Sequence, residues 1–484
     1  MNRSFKDFKL DKNILKALDN LEYKNPSKVQ SEVIPSLINK DNVIVKSKTG
    51  SGKTGSFAIP ICQNIDIDNT NIQGIVVVPT RELALQVKEE ISNIGRLKKV
   101  RCSAIFGKQP IKEQIRELKQ RVHVVVATPG RIIDHIERQT INLDNVEYFI
   151  IDEADKMLNK GFIDDMETIF NAVSKSSTVG LFSATIDKNI EYVSEKFMSK
   201  PNIIEVEYIE AINKKQIVEN RINVEEREKY DKLKKVIYSQ CPNSLMIFCN
   251  TRERVMRLHK KLKEDNFLVG QLHGDMSQDK RLFIIKDFKK HKFNILVSTD
   301  VASRGIHVDD ISLVVNFDVP HDKENYVHRI GRTGRKNKFG KSITMVSSND
   351  EKYLEEIEEY LEYDIEELDK ITEEEVNSGR NQFKEKSRKL VKDFKIKSYD
   401  KNIHSDLTRI YINAGKKKKI RVIDIVGAFS NIEGITGEDI GVIDVQDLCS
   451  YIDILNNKGD IILRKHKEIS IKKKMVKVRK DNKN

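Results

Sequence analysis

NVIVKSKTGSGKT, residues 42–54, joins a β-branched run to a glycine-rich turn that opens a helical pattern. Backbone N–H groups of such a turn, at a helix N-terminus, suit an anionic phosphate. Gly50 and Gly52 let the backbone come close, with Lys48, Thr49 and Ser51 completing the turn. Lys53 can reach β- and γ-phosphates, and the Thr54 hydroxyl suits Mg²⁺.

Outward from this stretch, short apolar runs alternate with helical patterns. The runs are GIVVV (74–78), HVVVA (123–127), YFII (148–151) and VGLFS (179–183). Continuous apolar strands joined by helices predict a parallel sheet covered on both faces. A polar stretch near 206–216 precedes a second series: SLMIFCN (244–250), FLVGQL (267–272), FNILVST (293–299), ISLVVNF (311–317) and KSITMVS (341–347). Residues 351–376 hold 13 acidic and 2 basic residues, with Leu354, Ile357, Leu361, Ile365 and Leu368 spaced for one helix face. Residues 377–403 reverse the charge, with 9 basic against 3 acidic residues and few apolar positions, which predicts a linker, bounded at 373–404 as a segment. If flexible, such a segment reaches roughly 30 Å. A third pattern, strand–helix–strand–strand–helix–strand, fits a small split-βαβ sandwich over 405–480. The predicted class is therefore α/β, with parallel-sheet domains at 1–208 and 209–372 and a small α+β domain at the end.

The 484 residues carry 86 basic and 74 acidic side chains, a net +12. Residues 405–484 hold 17 basic against 11 acidic, so half of the excess lies in the last sixth of the chain. That placement points to a polyanionic partner more than the total does. No run of 18 apolar residues predicts a membrane span, and MNRSFKDFKL has no apolar secretory core. The five cysteines lack CxxC spacing, which argues against a zinc or disulfide framework and for a reducing cytosol.

IIDEAD (150–155) ends an apolar strand about 100 residues after the phosphate turn. A carboxylate there can hold Mg²⁺, which assigns Asp152 to the metal and leaves Glu153 as general base or orienter of the attacking water. HRIGRTGR (328–335) adds arginines that could stabilise charge on a transferring phosphoryl group; Arg332 and Arg335 are the candidates.

Ten short motifs then follow in order, and together they resemble the DEAD-box ATP-dependent RNA helicases. They are EYKNPSKVQ (22–30) with Phe5 upstream, the phosphate turn, PTRELA (79–84), TPGR (128–131), DEAD (152–155), SAT (183–185), FCNTR (248–252), Gln278 to Arg281, TDVASRG (299–305) and HRIGRTGR. The resemblance implies two tandem RecA-like domains. It implies ATP as substrate with Mg²⁺, and local opening of RNA duplexes. It places Gln30 on the adenine edge and Tyr23 stacked on that base. It makes Pro79, Thr80, Arg81, Thr128, Gly130 and Arg131 RNA-backbone contacts of the first domain. Thr251, Arg252, Gln278, Arg281 and Thr299 become those of the second. Ser183 and Thr185 are implied to link hydrolysis to strand separation, and Asp300, Gly305 and His328 to serve domain closure. Three positions depart from the family pattern: Ser47 for Ala, Lys108 for Gly, and His307 for Asp. The last puts a ribose contact in doubt.

RIYINAGKKKKIRVIDIVGAF (409–429) and GEDIGVIDV (437–445) resemble the RRM-like RNA-binding domain of the DbpA subfamily. That resemblance implies recognition of a hairpin in 23S ribosomal RNA and a role in large-subunit assembly. RRM sheets stack bases on aromatic side chains, and Tyr411 and Tyr451 occupy suitable positions. The full RNP1 pattern is missing, since Asp447, Leu448 and Cys449 fall there. Phosphate contacts are therefore expected from Lys416, Lys417, Lys418, Lys419, Arg421 and the 472–480 basic run. Neutralising about four phosphates gives a salt slope of about −3. The alternatives are a general RNA chaperone of the same family, a passive ATP-gated RNA clamp, and a DNA helicase. The expected protein is a cytoplasmic monomer.

Overall fold

A computed structural model describes residues 3–47, 51–158, 161–206, 217–300, 311–334, 339–397 and 407–481. The chain divides into two compact units, 1–206 together with 401–484, and 207–400.

The first unit contains a seven-stranded sheet: β1 (Val43–Lys46), β2 (Gly74–Val77), β3 (Cys102–Ile105), β4 (Val124–Ala127), β5 (Tyr148–Asp152), β6 (Thr178–Ser183) and β7 (Asn202–Glu205). The order is β3-β4-β2-β5-β6-β1-β7, and every neighbouring pair is parallel. Alternate residues of one strand feed opposite cores. Val43, Val45, Val76, Val124 and Val126 join one buried cluster, and Ile44, Ile75, Val77 and Val125 the other. That double burial is why these strands carry continuous apolar runs. The sequence reading finds β1, β2, β4, β5 and β6. It misses β3 and β7, which are the two edges of the sheet. In β7 only Ile204 is buried.

The second unit repeats the scheme with β8 (Ile217–Asn223), β9 (Leu245–Phe248), β10 (Val269–Leu272), β11 (Ile295–Ser298), β12 (Leu313–Asn316) and β13 (Gly340–Val346), all parallel in the order β10-β11-β9-β12-β13-β8. The edge strand β8 is again the one the apolar pattern does not show, because Glu219, Asn220 and Arg221 sit in its middle.

Two expectations for this unit need correction. The helix expected across 351–376 stops at Leu361, where Glu362 turns left-handed with φ 60°. Ile365 is still buried, and Glu367 bridges to Arg221. The linker expected at 373–404 contains a helix, Glu373–Lys397. Among its described side chains Val376 and Phe383 are buried apolar anchors, both 3% exposed, and Lys386 Nζ donates to the Cys241 carbonyl at 2.8 Å. Phe383 packs edge-on to Tyr238 with ring centroids 6.3 Å apart, and a Cβ on Gly379 would meet the Tyr238 carbonyl at 2.0 Å. Val376 and Phe383, seven residues apart, lie on one face of a helix whose composition is otherwise that of a solvated tether.

The small domain carries β14 (Thr408–Ile412), β15 (Ile440–Val445), β16 (Ser450–Ile454), β17 (Glu468–Ile471) and β18 (Lys474–Lys480) in an antiparallel sheet ordered β15-β16-β14-β18-β17. Helices Val422–Ser430 and Gly459–Lys465 cover one face, whose core includes Ile410, Ile412, Ile425, Phe429, Ile452 and Ile462. The hairpin β17–β18 replaces the single last strand of the sequence reading.

Candidate nucleotide and RNA sites

The phosphate turn lies where β1 hands over to the Lys53–Asn64 helix. Gly52 caps that helix with φ 94°, a left-handed value that favours glycine. A Cβ there would sit 2.8 Å from Gln30 Nε2, so the residue is fixed by space as well as by torsion. Gln30 is 4% exposed. Its Nε2 donates to the Gly52 carbonyl at 3.2 Å, and its Oε1 accepts from the Ser27 amide at 2.9 Å. The Ser27 hydroxyl donates to the Ser51 carbonyl at 2.8 Å. The helix Lys28–Ile38 is thereby stapled to the turn through its own capping box. Tyr23 stands beside this contact. Its hydroxyl donates to Glu90 at 2.5 Å, and its ring lies 6.1 Å from that of buried Phe5.

Lys53 is 6% exposed, and its ammonium donates to the Ser47 carbonyl at 2.8 Å. Ser47 Oγ and Ser51 Oγ are 3.2 Å apart, so the serine that departs from the family pattern braces the turn from inside. Asp152 ends β5 and is 3% exposed. Burial pushes its carboxyl up to about 6; Lys53 opposes that rise and Glu153 adds to it. Glu153 takes a left-handed φ of 54° and its carboxylate accepts from Lys156 Nζ at 2.9 Å. Asp155 accepts from the Ala184 amide at 3.1 Å, joining the acidic motif to the end of β6. There Ser183 Oγ accepts weakly from the Thr185 amide at 3.4 Å. Because β6 lies between β5 and β1, these groups share one carboxyl edge, where open α/β sheets take their ligands.

The first-domain RNA candidates occupy the same edge but follow β2 and β4. Thr80 caps the Arg81–Gly95 helix, its hydroxyl accepting from the Leu83 amide at 3.3 Å. A Cβ on Gly107 would lie 3.2 Å from the Arg81 guanidinium. Thr128 precedes the Pro129–Glu137 helix, Gly130 is exposed with open space around it, and Arg131 donates to the Gln109 carbonyl and Gln114 Oε1 at 3.0 and 2.8 Å. Arg131 is thus half committed to holding its neighbours.

In the second unit Thr251 caps the Arg252–Glu264 helix, its hydroxyl accepting from the Arg254 amide at 3.2 Å. Arg252 is exposed and pairs with Asp275 at 2.6 Å. Thr299 follows β11 and Arg281 lies in the Gln278–Lys289 helix. His328 is exposed, whereas its neighbour Arg329 is 1% exposed. Arg329 clamps Asp300 with two bonds of 2.6 Å and also donates to Asn250 Oδ1 at 2.8 Å and the Asp318 carbonyl at 2.7 Å. Arg332 lies three residues on, its carbonyl accepting from the Ile311 amide at 3.3 Å. Lys48, Thr49, Gly50, Gly305, His307 and Arg335 lie outside the described residues, as does the side chain of Gln278.

On the small domain, Tyr411 and Tyr451 pair across β14 and β16 with ring centroids 5.7 Å apart. Arg479 lies over Tyr411 at 4.2 Å and Arg409 over Tyr451 at 4.9 Å. The two basic clusters, separate in sequence, meet: Lys472 Nζ donates to the Lys419 carbonyl at 3.1 Å and Lys474 Nζ to the Lys418 carbonyl at 3.3 Å. Arg421 is exposed beside them. Sequence reasoning missed Ser27, Asp155 and Arg329 as organising residues, although each lies inside a motif it quoted.

Family models match in chain order: DEAD/DEAH box helicase over residues 27–193, helicase conserved C-terminal domain over 228–337, and DbpA RNA binding domain over 409–480. The chain is 43% identical to ATP-dependent RNA helicase DbpA of Bacillus subtilis (strain 168), over 99% of both chains. It is 39% identical to the DEAD-box ATP-dependent RNA helicase CshA of the same organism, over 79% of this chain and 77% of that protein. Among solved structures, Saccharomyces cerevisiae Dbp5 bound to RNA and ADP BeF3 superposes with TM-score 0.66 at 28% identity, covering 80% of this chain and 99% of that one. Helicase motifs along two parallel-sheet domains, followed by a basic antiparallel-sheet domain, therefore have one explanation: the chain belongs to the DEAD-box ATP-dependent RNA helicases, in the subfamily that carries a DbpA RNA binding domain.

Proposed function

We propose that this helicase is directed by its small domain to 23S ribosomal RNA, where it opens short duplexes during assembly of the large ribosomal subunit. The observation that carries the reading is that one small domain holds both a merged basic edge, where Lys472 and Lys474 meet the Lys416–Lys419 turn, and a tyrosine pair flanked by Arg409 and Arg479. Backbone contacts position a nucleic acid but carry no sequence information. A helicase core that grips phosphates therefore needs a separate reader, and a tether raises the local RNA concentration to about the mM range.

In this reading ATP binds at the β1 turn with Lys53 on its terminal phosphates and Gln30 on the adenine edge. Gln30 now spends both ends of its amide on Gly52 and Ser27, so base recognition couples directly to the shape of the turn. Thr54 and Asp152 fit a Mg²⁺ ion. They offer hard oxygen donors, and the cost of ionising Asp152 in its buried position is what a divalent cation offsets. When bound, the ion neutralises charge on the β- and γ-phosphates. Glu153 orients or deprotonates the attacking water, and Arg332 with Arg335 stabilises charge on the transferring group. Ser183, Thr185 and Asp155 pass the change at the phosphates to the RNA-facing loops.

Binding of fluorescent 23S fragments to the full chain, competed by unrelated RNA of equal length, tests the target. The proposal expects at least tenfold preference for one fragment, lost when Lys416–Lys419 become alanine. Equal competition by every RNA contradicts it and favours the general chaperone.

A further inference from the structure

The helicase domain of the first unit and the small domain meet at a polar contact built around one part-buried pair. Arg96 Nε and Nη2 donate to the two carboxylate oxygens of Asp453, both at 2.8 Å. This is a bidentate fork, and the two side chains are 16% and 5% exposed. Around it lie Lys99, whose ammonium donates to the Gly437 carbonyl at 3.4 Å, and Arg116, 3.8 Å from Asp447. Ala17 and Leu97 close an apolar patch with Leu407 and Leu455 of the small domain.

The face in contact is the informative part. Asp453 opposes Arg409 across the β16–β14 ladder, one row from the Tyr411–Tyr451 pair. In a strand, alternate residues share a face. Ile452 and Ile454 point into the core, so Asp453 and Tyr451 lie together on the open face of the sheet, with Asp444 paired to Tyr451 across β15. Carboxylates there repel phosphate. Guanidinium groups of the helicase domain meet Asp453 and, in the loop after β15, Asp447 instead; Asp453 also lies 4.0 Å from Arg409 of its own sheet, and this acidic region is complementary to protein.

We propose that the open face of the small domain is an intramolecular docking surface for the first helicase domain, latched by Arg96–Asp453, and that RNA must displace the latch to reach the tyrosine pair. The second half rests on the RNA-reading role of that face argued above.

Full-length protein with dyes on unnatural residues at exposed Glu113 and Glu468 gives energy transfer across the contact. Transfer is expected to be high at low salt. It is expected to fall several-fold with Arg96→Glu or Asp453→Asn and to recover in Arg96→Glu with Asp453→Arg. A 23S hairpin fragment is expected to lower transfer in the wild type and to bind Arg96→Glu about threefold to tenfold more tightly. Asp453→Asn keeps side-chain shape and serves if Arg96→Glu does not fold. Transfer that is low in wild type, or unchanged by both single variants, overturns the latch. Transfer that responds to the variants while RNA affinity stays constant overturns the competition. If no variant binds the hairpin but the charge swap restores transfer, the docking surface stands and the RNA reading fails.

Discussion

Asp155 accepts a hydrogen bond from the Ala184 amide at 3.1 Å, tying the last residue of the acidic motif to the loop that follows β6. The Ser47 amide, at the start of the phosphate turn, also donates to the Ser183 carbonyl at 2.9 Å, so two hydrogen bonds join the nucleotide edge to the strand end that carries Ser183 and leads to Thr185. Hydrogen bonds to charged acceptors contribute about 1.5–3 kcal/mol. Replacing Ser183 and Thr185 together by alanine is expected to leave RNA-stimulated ATPase within about threefold of wild type while lowering duplex opening by more than tenfold. Parallel ATPase and strand-displacement assays check the split, and equal losses in both contradict it.

Glu153→Gln keeps the size of the side chain and removes its basicity. Loss of a general base costs about 10²–10⁴ in rate. ATP hydrolysis should fall by that factor while binding of a fluorescent ATP analogue is retained. Equally slow hydrolysis in wild type and variant supports the passive clamp.

Gln30→Glu replaces the donor to the Gly52 carbonyl by an acceptor, setting a carboxylate oxygen against a carbonyl oxygen inside a closely packed turn. Its KM for ATP is expected to rise at least tenfold, with kcat at saturation less affected. Steady-state kinetics decide, and an unchanged KM would show that the capping box and the nucleotide are independent.

Arg329→Gln removes the guanidinium from a buried network and leaves Asp300 without its bidentate partner. Breaking a buried pair costs about 3–5 kcal/mol. The expected result is a lowered unfolding transition for the second unit and a normal one for the first, read by hydrogen exchange on the full chain.

His123 gives a pH signature to the first unit. Burial, with Arg121 and Arg101 adding to it, lowers its pKa from 6.5 to about 4, and its Nδ1 accepts from the Arg101 amide at 3.0 Å. A group whose folded pKa is depressed stabilises the fold above its unfolded value. That stability is lost as pH falls from about 6.5 to about 4. Thermal unfolding should therefore drop across this window, and His123→Gln should flatten the drop.

The interior was legible because parallel strands buried on both faces must be apolar throughout; β1, β2 and β4 announce themselves. Edge strands β3, β7 and β8 have no such requirement, and the helix over Glu373–Lys397 carries few apolar anchors, Val376 and Phe383 among them. The phosphate turn was legible because glycine, lysine and threonine at fixed spacing have few other uses. Arg329 was not, because nothing in HRIGRTGR separates the arginine that folds inward from those left for the nucleotide. The contact between Arg96 and Asp453 joins residues 357 apart in sequence, and no local pattern encodes it.

The central claim is that the small domain addresses the helicase core to 23S ribosomal RNA. ATPase stimulation by 23S fragments and by unrelated RNA, compared between the full chain and a chain ending at residue 404, tests it most directly. One ribosomal fragment is expected to stimulate the full chain at least tenfold more strongly, with none of that preference after truncation. Equal stimulation by all RNAs, or a preference that survives removal of residues 405–484, contradicts it.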